Sequence, residues 1–429
     1  MKAITLYPPL TASQKIVGTR LLLINSFMMV FGYISLITVV SLHFTHDLLF
    51  TTAAVGIALA LRSMTQQGLD LFGGIFADRF GYRFSITIGC MIRVTAFVGM
   101  GMAHTFQQLL IACFVVGFGG MFFDAAGAGA LAALVPQQRR ARIFALQATL
   151  CNIGAALGPI IGIGVYARFG FTPVALLAAV VFLCIGIQTF IWLPKGVGHT
   201  VGIGDSMPLT FKQTLRAIML RRNYVRVVLL LMGFWLINAQ IMLTVPLAGA
   251  HLFGKNGVAI LLSLNSFLAI PLQYPFVRWL EKYLAPVRLL ALSTILCGLG
   301  LTVVFLAPNF GWQIAGIVIA TFGCLAVVPT MATITAQVAP PSALAAFYGF
   351  SALSIGFGGA LGQYFGGRIY DLQNELHLSW LLAVFMILVA FGIAIALFRS
   401  PSPTVMPHLA ANVFADEDVS AQSGVIAVR

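Results

Sequence analysis

The chain has 429 residues, 60% of them apolar and only 8% charged, and carries a formal net charge of +13. A mean hydropathy of +1.00 lies far outside the range of soluble globular domains, so a water-borne enzyme or nucleic-acid-binding module is excluded as the main body of the protein. A bilayer core about 30 Å thick takes about 20 apolar residues per helix. Twelve such stretches follow one another: 17–43, 52–77, 84–104, 107–134, 143–168, 173–193, 224–248, 257–280, 287–307, 311–336, 345–367 and 378–398. A transmembrane barrel would show strands of about ten residues alternating in hydrophobicity; these runs are longer and unalternated. The expectation is an all-α integral membrane protein.

The first span carries Asn25 and Ser26 and has no small-residue cleavage site, so it reads as a retained helix. In the second, Arg62, Gln66 and Asp70 recur at a spacing of four and share one face. Asp70 lies about 12 Å along the helix from Asp78, well into the bilayer. The third span contributes Arg93 and the fourth Asp124, flanked by Gly119, Gly120, Phe122 and Phe123. An ionised group at bilayer depth costs at least about 2.5–3.5 kcal/mol, so these charges are the functional candidates within the spans. Burial favours the neutral form of a carboxyl and a nearby arginine favours the charged form, a balance that changes as a cavity opens and shuts. Asp124 first and Asp70 second are the expected proton carriers, with Arg93 and Arg62 as counter-charges.

Between the second and third spans lies Gly73-Gly74-Ile75-Phe76-Ala77-Asp78-Arg79-Phe80-Gly81-Tyr82-Arg83. So few residues must reverse the chain sharply, and Gly81 can supply a positive φ there. Asp78 is expected to accept hydrogen bonds from Arg139, Arg140 or Arg142, or from donors at the start of a helix in the other half. In the fifth span Gly154, Gly158 and Gly162 stack on one face, where a partner helix can approach closely, and Pro159 bends the helix.

Residues 194–223 separate six spans from six. Within them Pro208 to Arg222 sets Leu209, Phe211, Leu215, Ile218 and Met219 on one face and Lys212, Arg216, Arg221 and Arg222 on another, an amphipathic helix for the membrane surface. It is either a strap that couples two bundles or a passive linker. The expected organisation is a six-helix bundle over 1–193, this linker, a second bundle over 224–398 and a disordered tail over 399–429. A weak repeat supports it: Gly56-Ile57-Ala58-Leu59 begins the second span and Asp78-Arg79-Phe80 ends it, while Gly257-Val258-Ala259-Ile260 begins the eighth and Glu281-Lys282-Tyr283 follows it.

Lys and Arg concentrate in the loops after spans two, four, six and eight, and near the start of the chain, so the positive-inside rule sets both termini in the cytoplasm. The six cysteines lie in spans without paired spacing, and neither they nor the seven histidines form a metal pattern. No cofactor or nucleic-acid partner is expected. Asn25, Tyr33, Gln66, Trp235, Asn238, Gln240 and Asn265 are the candidate lining of a substrate cavity. Few polar anchors in an apolar cavity suit amphipathic molecules better than sugars or phosphates.

Gly74, Asp78, Arg79, Gly81 and Arg83 resemble the loop signature of the major facilitator superfamily, G-x-L-a-D-R-x-G-R-r, with Phe76 and Tyr82 as departures. Gly154 to Gly162 is similar to that family's antiporter signature, with Ile163 in place of its last glycine. The run from Ala58 to Gly68 points to the same twelve-helix drug:proton antiporter type. The resemblance implies two pseudo-symmetric six-helix bundles and proton-driven efflux of small molecules across a bacterial inner membrane, by a monomer. It also implies that the hinge gates the cytoplasmic face, with Glu281 as a fainter copy, and that the fifth and eleventh spans pack against the opposite half. Relatives of this type usually carry an acid in the first span near Asn25, which cannot titrate. A carrier for one metabolite, siderophore or nutrient is the alternative, and a membrane enzyme or receptor a remote one.

Overall fold

A computed structural model describes residues 10–50, 52–197, 210–241, 244–245, 261, 264, 267–375 and 380–400. Asn265, the Gly257 to Ile260 arm of the repeat, residues 198–209 of the linker and the tail from residue 401 lie outside the described residues.

The described chain is helical throughout. Helices α1 (Ala12–Leu42), α2 (Thr52–Phe80), α3 (Tyr82–Gly101), α4 (Phe106–Leu134), α5 (Arg140–Phe169) and α6 (Phe171–Trp192) form the first half. After the short α7 (Phe211–Leu220) come α8 (Arg222–Asn238), α9 with described residues 267–280, α10 (Pro286–Leu306), α11 (Phe310–Leu325), α12 (Val327–Val338), α13 (Leu344–Glu375) and α14 (Leu381–Phe398). Among the described residues nine segments are long and apolar enough to cross a membrane, and α11 with α12 count as one of them. Helix α2 is not among the nine: Arg62, Gln66, Gln67 and Asp70 make its middle too polar.

The ends of these helices follow from local chemistry. Thr11 with Gln14, Thr105 with Gln108 and Thr210 with Gln213 form capping boxes that start α1, α4 and α7. Gly81 alone separates α2 from α3 at φ 94°, and Gly170 alone separates α5 from α6 at φ 79°, conformations that other residues adopt only with strain. The break between α11 and α12 has a specific cause. Pro329 has no N–H to offer the carbonyl of Leu325, and the side chain of Gln273 donates to that oxygen instead, at 3.1 Å.

Each half has its own apolar core. One is built from α1 to α6, around Phe97, Leu109, Phe182 and their neighbours, and the other from α7 to α14, around Tyr224, Phe234, Leu301 and Phe347. The cores are not sealed from each other: Leu344, Ala345 and Tyr348 at the start of α13 belong to the first. A third, small cluster joins Ala145 of α5 to Val277, Leu280, Leu289 and Ala326 of the second half. Helix α7 also touches both halves, with Ile218 buried in the second core and Phe211 stacked at 5.5 Å on Phe72 of α2.

Helix α5 meets the opposite half, as through Ala145, but not with its glycines. A Cβ on Gly154, Gly158 or Gly162 would run into Phe27, Ile34 or Ser35 respectively, all on α1, so the small face of α5 receives its own neighbour rather than the opposite half. In α13 the division is mixed. Gly358 and Gly362 face Met232 and Leu236 of α8, whereas Gly349 and Gly356 face Asp70 and Gln67 of α2. A stripe of small residues states that a helix comes close, not which helix.

Candidate functional site

Two sets of polar side chains stand out, one at the end of the molecule rich in Arg and Lys and one inside the first half. At the basic end, the carboxylate of Asp78 accepts the backbone N–H of Ala345 at 2.9 Å and that of Ala346 at 2.8 Å. Tyr82 donates its hydroxyl to the same carboxylate at 2.9 Å. The two amides belong to the first turn of α13, where N–H groups have no intrahelical acceptor and the helix dipole favours an anion. Of the donors considered from the sequence, the partner is therefore the helix start in the other half. Gly74 makes the approach possible, since a Cβ there would collide with the Ala345 carbonyl.

Arg140 makes the complementary contact. Its Nη1 donates at 2.7 Å to the carbonyl of Ala336, in the last turn of α12, while its Nε donates to Ala132 at 3.1 Å and Val135 at 3.2 Å. Arg79 and Arg83 take other roles, lying over the rings of Phe80 at 5.7 Å and Phe190 at 4.7 Å. Glu281 sits in the turn after α9, half-buried; burial lifts its carboxyl above the ordinary value and the Arg142 guanidinium opposes that rise. It holds no helix N-terminus among the described residues, so the likeness to Asp78 stops at sequence position and charge.

A third contact between halves lies deeper. Asn152 of α5 donates at 2.6 Å to Gln273 of α9, whose own amide is the group that donates to Leu325. Neither the role of Asn152 nor the tie between Gln273 and Pro329 is visible before the helices are assembled.

Inside the first half, Gln66 donates to the carboxylate of Asp124 and accepts from Arg62 at 3.2 Å. Arg62 also donates to Ser63 at 2.8 Å and lies 4.6 Å over the ring of Tyr33. Asp70 is 2% exposed, and its Oδ1 has no hydrogen-bond partner. Arg93, equally buried, donates to the Val116 carbonyl at 3.3 Å and lies 5.2 Å over the Phe182 ring. Among the described residues neither arginine forms an ion pair within 4.0 Å with Asp70 or Asp124. Gln66 stands between Arg62 and Asp124 and bonds to both. Tyr33, Arg62, Gln66 and Asp124 are all partly exposed, which lets solvent or a ligand reach this cluster, whereas Asp70 is sealed.

Two cavity candidates are corrected. Asn25 is fully buried: it donates to Thr189 at 2.8 Å and accepts from Gln188, both on α6. Gln240 is also fully buried, donating to the Gly362 carbonyl at 2.7 Å and accepting from Thr244 at 3.1 Å. Both amides are satisfied by protein and bind helices together. Asn238 donates to Cys324 at 3.2 Å and stays half-buried, as does Trp235, which packs edge-on against Phe234.

The profile of the Major Facilitator Superfamily matches residues 22–259 and 249–414. Among curated proteins, the multidrug resistance protein MdtH of Cronobacter sakazakii is 32% identical over 362 residues, 84% of this chain and 88% of that protein. MdtH of Citrobacter koseri is 30% identical over 370 residues, 85% and 90% of the two chains. Among solved structures, the human organic anion transporter MFSD10 superposes with a TM-score of 0.73 at 13% identity, covering 91% of this chain and all of that one. The E. coli fucose:proton symporter FucP gives 0.72 at 14% identity, covering 90% and 100%. At such identities these structures share the fold alone.

Proposed function

Because the chain belongs to the Major Facilitator Superfamily and is a multi-pass membrane transporter for small molecules, we propose that it exports amphipathic compounds in exchange for protons by alternating access between its two halves. The relatives named as multidrug resistance proteins support the substrate class. The basic end is the cytoplasmic face of a bacterial inner membrane, with both chain termini there. Contacts of Asp78 with α13, of Arg140 with α12 and of Asn152 with Gln273 then make the described arrangement one that is closed to the cytoplasm. The working unit is the monomer.

The observation that carries the reading is the pair of carboxyls inside the first half. Asp124 is reachable and held by Gln66; Asp70 is sealed, with one oxygen unpartnered, on the helix face that meets Gly349 of α13. Carboxyls inside membrane helices mark proton paths. Opening the α2 and α13 contact lets water reach Asp70, so the state of the gate and the state of the proton are linked. Arg62 and Arg93 are the counter-charges in this reading, and Tyr33, Gln66 and Trp235 line the space for substrate.

The test is transport in proteoliposomes. A dye should accumulate or leave according to an imposed pH gradient, Asp124→Asn should abolish that coupling, and normal gradient-driven transport by this variant would remove Asp124 from the mechanism.

A further inference from the structure

A groove of about 460 Å³ opens on the outer surface between α8 and α14, lined by Arg226, Leu230, Gly392, Ile395, Ala396 and Arg399. Its polarity is directional. Arg226 begins the second turn of α8 and Arg399 caps the last turn of the antiparallel α14, so both guanidiniums stand at the basic end. Leu230 and, on the facing helix, Ala396, Ile395 and Gly392 continue inward from them as an apolar floor. Helix spacings of four from Arg226 to Leu230, and of three, four and seven back from Arg399, set each row on one face. Gly392 keeps the floor open, since a Cβ there would meet nothing within 4 Å. Arg226, Arg399 and Ile395 are exposed, and no acidic residue lines the groove.

We propose that this groove binds one anionic phospholipid, with the phosphate between Arg226 and Arg399 and an acyl chain along Leu230, Ile395 and Ala396. Two like charges at the mouth of an apolar channel repel each other unless an anion lies between them, and a lipid brings a charged head and an apolar tail in the order the groove displays. Basic pockets between membrane helices on the cytoplasmic side take anionic headgroups by this chemistry, and the fork of Arg suits phosphate oxygens. Both helices belong to the second half, so the lipid travels with that half alone and fixes its depth at the interface while the first half moves against it.

The experiment is native mass spectrometry of the full chain titrated with phosphatidylglycerol or phosphatidylcholine. One phosphatidylglycerol per chain should be retained about tenfold or more over phosphatidylcholine. Arg226→Gln with Arg399→Gln should lose that preference, and Arg222→Gln, at the same end but outside the groove, should keep it. Equal retention of the two lipids, or an unchanged preference in the double variant, overturns the proposal. Inorganic phosphate at equal concentration should not displace the lipid; displacement would reduce the ligand to a free anion. The chain itself carries a competing anion in Asp416, Glu417 and Asp418. Asp416→Asn, Glu417→Gln and Asp418→Asn together should leave lipid retention unchanged. A tenfold rise in that variant would make the tail the occupant.

Discussion

Asp78 of α2 meets Ala346 of α13 at 2.8 Å, carboxylate on backbone amide, across the boundary between the halves. Asp78 lies in the last turn of its own helix, the end whose dipole disfavours an anion, and Arg140 opens α5, the end that disfavours a cation. Asp78 is misplaced on its own helix and well placed on the helix start it meets in the other half, whereas Arg140 already caps the carbonyls that end α4 in its own half and reaches the last turn of α12 as well. Closure therefore relieves the unfavourable placement of Asp78 and adds a second helix end to Arg140.

Asp78→Asn should weaken the closed state. A hydrogen bond to a charged acceptor contributes about 1.5–3 kcal/mol, so losing the charge shifts the balance of closed and open forms by roughly tenfold or more. Spin labels at Phe80 and Tyr283, in a background without the native cysteines, would report this as a longer distance across the basic end. An unchanged distance distribution would reduce Asp78 to a surface contact.

Gly74→Ala tests the same closure without touching a charge. The added methyl runs into the Ala345 carbonyl, while Gly68→Ala, on the same helix, meets nothing within 4 Å. The first should slow transport by about fivefold to a hundredfold, the cost of an overpacked contact being about 1–3 kcal/mol, and the second should leave the rate within about twofold of the parent. Equal rates for both would separate transport from the α2 and α13 contact.

Asp70→Asn should leave substrate binding intact but flatten the dependence of transport on the pH gradient, because an amide cannot take up or release the proton. The measurement is dye affinity beside gradient-driven uptake in the same liposomes. Loss of affinity with coupling retained would make Asp70 a substrate contact instead.

The hinge was legible because its residues are incongruous: Asp78, Arg79 and Arg83 between apolar helices have no packing role to hide in, and Gly81 has a conformational one. The stripe Arg62, Gln66, Asp70 was legible for the same reason. Asn25 and Gln240 were misread because an amide in a membrane helix looks the same in sequence whether it faces a cavity or is consumed by a neighbour, here Thr189 and Gly362. The partner of Gly154, Gly158 and Gly162 was hidden because spacing describes one surface and an interface needs two. Pro329 lay in plain view, yet the acceptor it frees, Leu325, acquires meaning only when Gln273 arrives from another helix.

Glu281 gives a pH signature. Its folded-state value is raised by burial, so the fold favours the neutral carboxyl. That contribution is full below the ordinary glutamate value and is lost as pH rises through the elevated one. The parent should therefore lose thermal stability relative to Glu281→Gln on going from acid toward neutral pH, by no more than about 2 °C in Tm for a half-exposed group in a chain of this size. Parallel pH profiles for the two proteins would mean that Arg142 cancels the cost of burial in full.

The Asn152, Gln273 and Leu325 chain allows a sharper test, because its logic is reciprocal. Gln273→Leu should destabilise the protein by about 1–3 kcal/mol, the cost of a buried carbonyl left without a donor. Pro329→Ala supplies the missing backbone N–H, allowing α11 and α12 to run on as one helix and satisfy Leu325 without the side chain. The double variant should then regain most of the stability lost by Gln273→Leu, so the two changes fail to add. Transport should not recover with it, since α9 then offers Asn152 no acceptor and the tie between the halves stays cut. Additive losses in stability would show that Gln273 supports the fold by packing alone, and full recovery of transport would show that Asn152 takes no part in coupling the halves.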